Sequence, residues 1–110
     1  MNNSQKLAWI SGLLEGEGSF LVIRPGKYKY PAVQICMTDK DVMKKYQLCL
    51  HDILNVDIPR LYIHEYKRNK TVYMHHLRGN RALQLMNLLL PFMGERRSIK
   101  IKEIINETTV

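Results

Sequence analysis

The stretch WISGLLEGEGSF, from Trp9 to Phe20, decides how the rest of the chain reads. Its first part has the composition of a helix, and its last residues lead into an apolar run. It nevertheless sets Gly12 and Gly16 inside the helical part, where each glycine costs roughly 1 kcal/mol relative to alanine. Glu15 and Glu17 stand at the helix C-terminal end, where the helix dipole disfavours negative charge. A helix written against its own stability has another use for those residues.

Spacing supplies that use. Ala8, Gly12 and Gly16 recur every fourth residue with Ser11 beside them, and so line a stripe of small side chains. Such a stripe lets a second backbone come close. Leu7, Ile10 and Leu14 form another face, suited to packing on a sheet. One buried face is expected to meet the chain's own core and the other a second copy, in a two-fold homodimer; tight packing inside the monomer is the alternative. That arrangement brings Glu17 of both copies together beside two negative helix ends, a repulsion that divalent cations relieve. Carboxylate oxygens suit Mg²⁺, with Mn²⁺ or Ca²⁺ as substitutes in binding, and such ions serve phosphodiester hydrolysis.

Outward from this helix, which is expected over about Ser4 to Glu15 with Ser4 as its cap, the pattern alternates strands and helices. SFLVIR and YPAVQICMT make a hairpin around the turn PGKYK. Thr38 and Asp41 resemble a capping box for a helix over about Lys40 to Leu54. RLYIHEY and TVYMHHL make a second hairpin around KRNK. A helix over about Arg81 to Leu90, capped by Asn80 and stopped at Pro91, and another over about Ser98 to Asn106 complete the order. The fold class is α+β, with helices on one face of an antiparallel sheet and the other face open.

The 110 residues predict a single domain over 1–110. Lys and Arg number 17 against 10 Asp and Glu, a net charge of +7 that points to a polyanionic partner. No run of 18 or more apolar residues is present, so no membrane span is expected. Cys36 and Cys49 are too few for a disulfide scaffold, and the first residues lack a signal-peptide pattern; an intracellular, non-secreted protein is expected. His75 and His76 lack the helical spacing of a zinc pair, Cys49 and His51 have no second matching pair, and no glycine-rich nucleotide loop occurs.

ISGLLEGEG, Ile10 to Gly18, resembles the motif of the LAGLIDADG homing endonucleases. Gly12, Leu13 and Gly18 are identical to it; Ile10, Leu14, Glu15 and Glu17 are conservative replacements; Ser11 and Gly16 are small where the motif has Ala. The αββαββα order, the basic hairpins and the LPFM segment before the last helix extend the resemblance over nearly the whole chain. It implies two motif helices packed together over a DNA-binding saddle of two sheets. A chain with one motif resembles the homodimeric kind, which makes a metal-dependent double-strand break in a long, nearly palindromic site.

Residue by residue, the resemblance makes Glu17 the metal ligand and Gly16 a second one through its carbonyl. Glu15 matches an acid that is more often structural. Asp39 matches a position that helps place water or metal. Arg96 matches a basic residue near the scissile phosphate, with Arg97 as a competing choice. Rival expectations are an intron maturase that binds RNA, and a DNA-binding protein without cleavage.

Strand alternation then assigns the DNA-facing residues. Val33, Ile35 and Met37 are expected to face the helices; Ala32, Gln34 and Cys36 face the DNA, with Gln34 able to pair with adenine. Arg60, Tyr62 and His64 share a face on the third strand, and Tyr73 and His75 on the fourth. Arg24 joins them on the basic hairpins, and Lys27, Lys29, Lys67, Arg68 and Lys70 near the hairpin tips are expected to touch phosphates.

Overall fold

Asn2 opens the first helix, α1 (Asn3–Glu17). Its side chain accepts the Gln5 N–H at 2.8 Å while Gln5 Oε1 accepts the Asn2 N–H at 2.9 Å. This reciprocal pair satisfies two otherwise orphaned donors, and it moves the cap from the expected Ser4 to Asn2. The structure is a computed structural model and describes residues 1–55, 57, 62–66 and 70–109, with the backbone alone described for 62–66 and 70.

Gly16 lies within α1, and the helix ends at Gly18, whose backbone is already extended. There is no loop: Gly18 is also the first residue of β1 (Gly18–Ile23). A Cβ on Gly18 would lie 2.7 Å from Leu14 Cδ2 and 2.8 Å from the Leu14 carbonyl oxygen. The last glycine of the motif is therefore a close-approach residue, needed because the chain leaves the helix across its own last turn.

β1 pairs antiparallel with β2 (Tyr30–Met37), with Phe20 opposite Val33 and Ser19 opposite Gln34. Helix α2 (Lys40–Leu54) follows at the expected limits, but the Thr38 and Asp41 capping box is replaced by Asp39, which makes no side-chain capping bond. Asn55 ends α2 in the left-handed region at φ 53°. β3 (Tyr62–Tyr66) and β4 (Lys70–Arg78) form the second hairpin, and β4 also pairs with β2, giving an antiparallel sheet of order β1-β2-β4-β3.

Gly79, at φ +71°, makes the turn from β4 into α3 (Asn80–Leu89), so Asn80 begins the helix instead of capping it. A 3₁₀ turn over Leu90–Phe92 around Pro91 leads to α4 (Glu95–Thr108), which starts earlier than the expected Ser98.

The core lies on one side of the sheet. Phe20, Val33, Ile35 and Leu77 meet Ile10 and Leu14 of α1, Met43, Tyr46 and Leu50 of α2, Leu85, Met86 and Leu89 of α3, and Ile101 and Ile104 of α4. Each such large apolar side chain contributes roughly 1.5–3 kcal/mol on burial. The α+β architecture expected from the sequence, helices on one face and a sheet open on the other, is the fold of the chain. No helix among the described residues is long and apolar enough to cross a membrane.

Candidate functional site

The C-terminal end of α1 is where several elements converge. Glu17 is exposed and lines a groove of about 380 Å³ with Cys36, Met37, Thr38, Asp39 and Val72. The α1 end and the β2–α2 junction thus bring two carboxylates, Glu17 and Asp39, to one groove. Asp39 owes its availability to local structure: it sits at the α2 cap position without spending its side chain on a capping bond. Glu17 also lines a smaller groove of about 90 Å³ with Ser19, Gln34, Ile35, Cys36 and Met74.

Glu15 is turned elsewhere. Its Oε1 accepts the Gly94 backbone N–H at 3.3 Å, and its Oε2 lies 3.7 Å from Arg97 Nε. Arg97 Nη1 donates to the Gly18 carbonyl at 2.7 Å, and the guanidinium sits 5.7 Å from the Phe20 ring centre. Glu15 and Arg97 therefore tie the start of α4 to the end of α1. Arg96 is exposed beside them and lines a groove of about 430 Å³ with Ser19, Lys100 and Glu103. Arg97 borders the same groove, but the two arginines differ in exposure: Arg97 is half-buried and bonded to the Gly18 carbonyl, whereas Arg96 is exposed.

The fit of a divalent cation follows from donor chemistry. Glu17 and Asp39 are hard oxygen donors in one groove, and Gly16 is exposed just before Glu17. Among the described residues of one chain, no group of three His, Cys, Asp or Glu side chains is close enough to hold a metal ion. Two carboxylates alone would leave most positions around an Mg²⁺ ion to water, as that ion commonly keeps several waters.

The small-residue stripe faces solvent. Ala8, Gly12 and Gly16 are exposed, and a Cβ added at Gly12 or Gly16 would meet nothing within 4 Å. The packing of a single chain gives these two glycines no reason to be glycine. Ser11 does not belong with them: it is 4 % exposed, and its hydroxyl donates to the Leu7 carbonyl at 2.7 Å. Its expected place in the interface is corrected to the inner face of α1.

On the sheet, Val33 and Ile35 are buried against the helices, whereas Gln34 and Cys36 lie on the open face; Ala32, expected beside them at the DNA, is fully buried. The register lines Ser19, Gln34 and His76 into one cross-strand row, with Gln34 Nε2 2.9 Å from His76 Nδ1. Tyr73 and His75, expected on the DNA face, belong to the other side. His75 is fully buried with its ring edge-on to Tyr46 at 5.5 Å, and Tyr73 packs against the core with Lys40 6.0 Å from its ring centre. His76 and Arg78 take the open-face positions instead. The missed signal was Leu77: it shares parity with Tyr73 and His75, and its apolar side chain assigns that parity to the core.

The register sets Tyr62 opposite Met74 and His64 opposite Val72, while Arg60, Lys67 and Arg68 lie outside the described residues. Lys27 is exposed in the first hairpin. Arg24 forms an ion pair with Glu107, and Lys29 lies 3.6 Å from the same carboxylate. Exposed pairs of this kind are worth about 0–1 kcal/mol, so a phosphate can displace Glu107 at small cost.

No family model matches the chain, and no curated protein matches it in sequence. Among solved structures, the chain is similar to the homing endonuclease I-CvuI, in a crystal structure with the I-CreI target DNA in the presence of 2 mM Mg in which the DNA is not cleaved. The TM-score is 0.54 at 16 % identity, over 97 % of this chain and 72 % of that one.

Proposed function

We propose that this chain is a single-domain, metal-dependent DNA endonuclease of the LAGLIDADG kind, which works as a homodimer and makes a double-strand break in a nearly palindromic site. The observation that carries the reading is the pairing of Glu17 with its surroundings. An exposed carboxylate ends a helix whose outer stripe is glycine with nothing packed on it, and it shares a groove with Asp39 beside an open, hydrogen-bonding sheet face. A protein that only bound nucleic acid would gain nothing from a carboxylate set among phosphates. The likeness to the endonuclease structure supports the same reading through the fold.

In this reading Glu17, the Gly16 carbonyl and Asp39 would hold Mg²⁺, with Mn²⁺ or Ca²⁺ able to take its place in binding. A divalent cation held there would supply Lewis-acid stabilisation of the phosphodiester and help activate water. Asp39 accepts a hydrogen bond from the attacking water and fixes its direction. Arg96 donates to the phosphate oxygens as negative charge builds on them. Glu15 and Arg97 keep the helix carrying Glu17 and the helix carrying Arg96 in one frame. The net charge of +7 draws in the duplex, so binding weakens steeply as salt rises.

The test is selection of cleaved sites from a randomised duplex library with Mg²⁺, run with the wild type and with Glu17→Gln. The wild type is expected to yield one long, nearly palindromic sequence. Glu17→Gln should still bind that sequence and fail to cut it. Normal cutting by Glu17→Gln would remove Glu17 from the site, and preferential binding of structured intron RNA would favour the maturase reading.

A further inference from the structure

Cleavage as described leaves one side-chain pair on the open sheet face without a task. Gln34 and His76 stand opposite each other on β2 and β4, the two central strands, with 2.9 Å between Gln34 Nε2 and His76 Nδ1. Both are half-buried. Gln34 also lines the groove of about 90 Å³ that Glu17 borders. A base touched by Gln34 therefore belongs to the pairs nearest the cleaved bond.

A glutamine amide is nearly symmetrical in shape and opposite in chemistry at its two ends: the oxygen accepts, and the nitrogen donates twice. Reading adenine in the major groove uses both ends in a fixed order, the oxygen taking the N6–H and an N–H given to N7. The last torsion of the side chain is broad and close to two-fold, so an unrestrained amide presents either order. With Nε2 directed at His76 Nδ1, one N–H is committed to the imidazole. The other N–H and the oxygen remain for a base. In this arrangement Nδ1 is the acceptor, which requires the tautomer that carries its proton on Nε2.

We infer that His76 is a positioning residue for sequence specificity: it holds the Gln34 amide in one orientation and so makes Gln34 select adenine at one position of each half-site. This rests on the DNA-cleaving reading given above. His76 acts through Gln34, and the amide makes the base contact. The pairing spans the two central strands, where backbone hydrogen bonding on both sides fixes the distance between them.

The experiment selects cleaved sites from a randomised duplex library with Mg²⁺, using the wild type, Gln34→Ala, His76→Ala and His76→Asn, each checked for folding by circular dichroism. The readout is the ratio of adenine to the other bases at each position, so the remaining positions of the same half-site serve as internal controls. Loss of preference in Gln34→Ala identifies the position that Gln34 reads. His76→Ala should lower adenine preference at that position by roughly tenfold and leave the other positions as they were. His76→Asn should restore the preference, because its Oδ1 can accept from Gln34 Nε2 in place of Nδ1.

An unchanged preference in His76→Ala would overturn the inference. So would a folded His76→Asn that discriminates no better than His76→Ala, since the imidazole would then be contacting the DNA itself. His76→Asn also decides the matter if His76→Ala does not fold. A wild type that enriches no sequence would overturn the DNA-cleaving reading and this inference with it, and that failure is visible before any substitution is made.

Discussion

Arg97 donates from Nη1 to the Gly18 carbonyl oxygen at 2.7 Å, which holds the last helix against the residue that ends the first. Its side chain is 15 % exposed, so this bond is largely shielded from water. Arg97→Ala should lower stability by about 1.5–3 kcal/mol, the range for a hydrogen bond to a charged group, read as a fall in melting temperature. Arg96→Ala should leave the melting temperature where it was and lower the cleavage rate on the order of 100-fold. The opposite assignment, with Arg96 stabilising and Arg97 catalytic, would show the reverse pattern in the same two assays.

The glycines of α1 divide in the same way. Gly18→Ala sets a Cβ 2.8 Å from the Leu14 carbonyl oxygen, a backbone atom that cannot swing aside. A loss of roughly 1–3 kcal/mol is expected from that overpacking. Gly12→Ala meets nothing within 4 Å, so in a dilute, monomeric sample it should gain about 1 kcal/mol of helix stability. The same substitution should weaken self-association, as followed by sedimentation over a dilution series. Association that is indifferent to Gly12→Ala and to the bulkier Gly12→Leu would place the interface elsewhere.

Asp39 permits charge to be separated from capping. Asn caps helices about as well as Asp, and the Asp39 side chain makes no capping bond here. Asp39→Asn should therefore melt like the wild type while cleavage falls on the order of 100-fold, the usual loss when a positioned acid–base group is removed. A change in melting without a change in cleavage would make Asp39 a purely structural residue.

Tyr46 gives a prediction about alkaline pH. Its ring is fully buried, its hydroxyl has no hydrogen-bond partner among the described residues, and burial pushes its phenol well above the ordinary value of about 10. As pH rises past about 10, the unfolded chain releases that proton and the folded one keeps it, so stability falls with pH. Burial pushes the Cys49 thiol in the same direction and adds to the fall. Tyr46→Phe should flatten the alkaline limb of a stability–pH curve and cost little or nothing at neutral pH, since no partner loses a bond. Urea titrations at pH 7 and above pH 10 compare the two.

The order of elements and the limits of α2 were legible because apolar periodicity is a local signal. Caps were less so. Ser4, Asn80 and the Thr38–Asp41 box are all reasonable capping residues, yet Asn2, Gly79 and Asp39 take those places because chain direction decides which residue leaves the helix. Strand parity was legible in β2, where Val33 and Ile35 are unambiguous. It failed in β4, where the polar and aromatic run from Tyr73 to His76 masked the pattern and only Leu77 marked the core side. The division between Arg96 and Arg97 lay beyond the sequence, since it depends on Gly18 and Glu15 arriving from the far end of the chain.

That distance has a consequence for the order in which the molecule comes into being on a ribosome. The bonds joining α1 to the start of α4 each span 79 residues, and the pair between Arg24 and Glu107 spans 83. A nascent chain that has emerged only through α3 has Glu17 but no Arg97 to hold the turn behind it and no Gly94 to occupy Glu15. Translation must pass the PFMGERR segment before the acidic end of the motif helix is fixed. The end of the helix that carries Glu17 is thereby left without these contacts until α4 has been made.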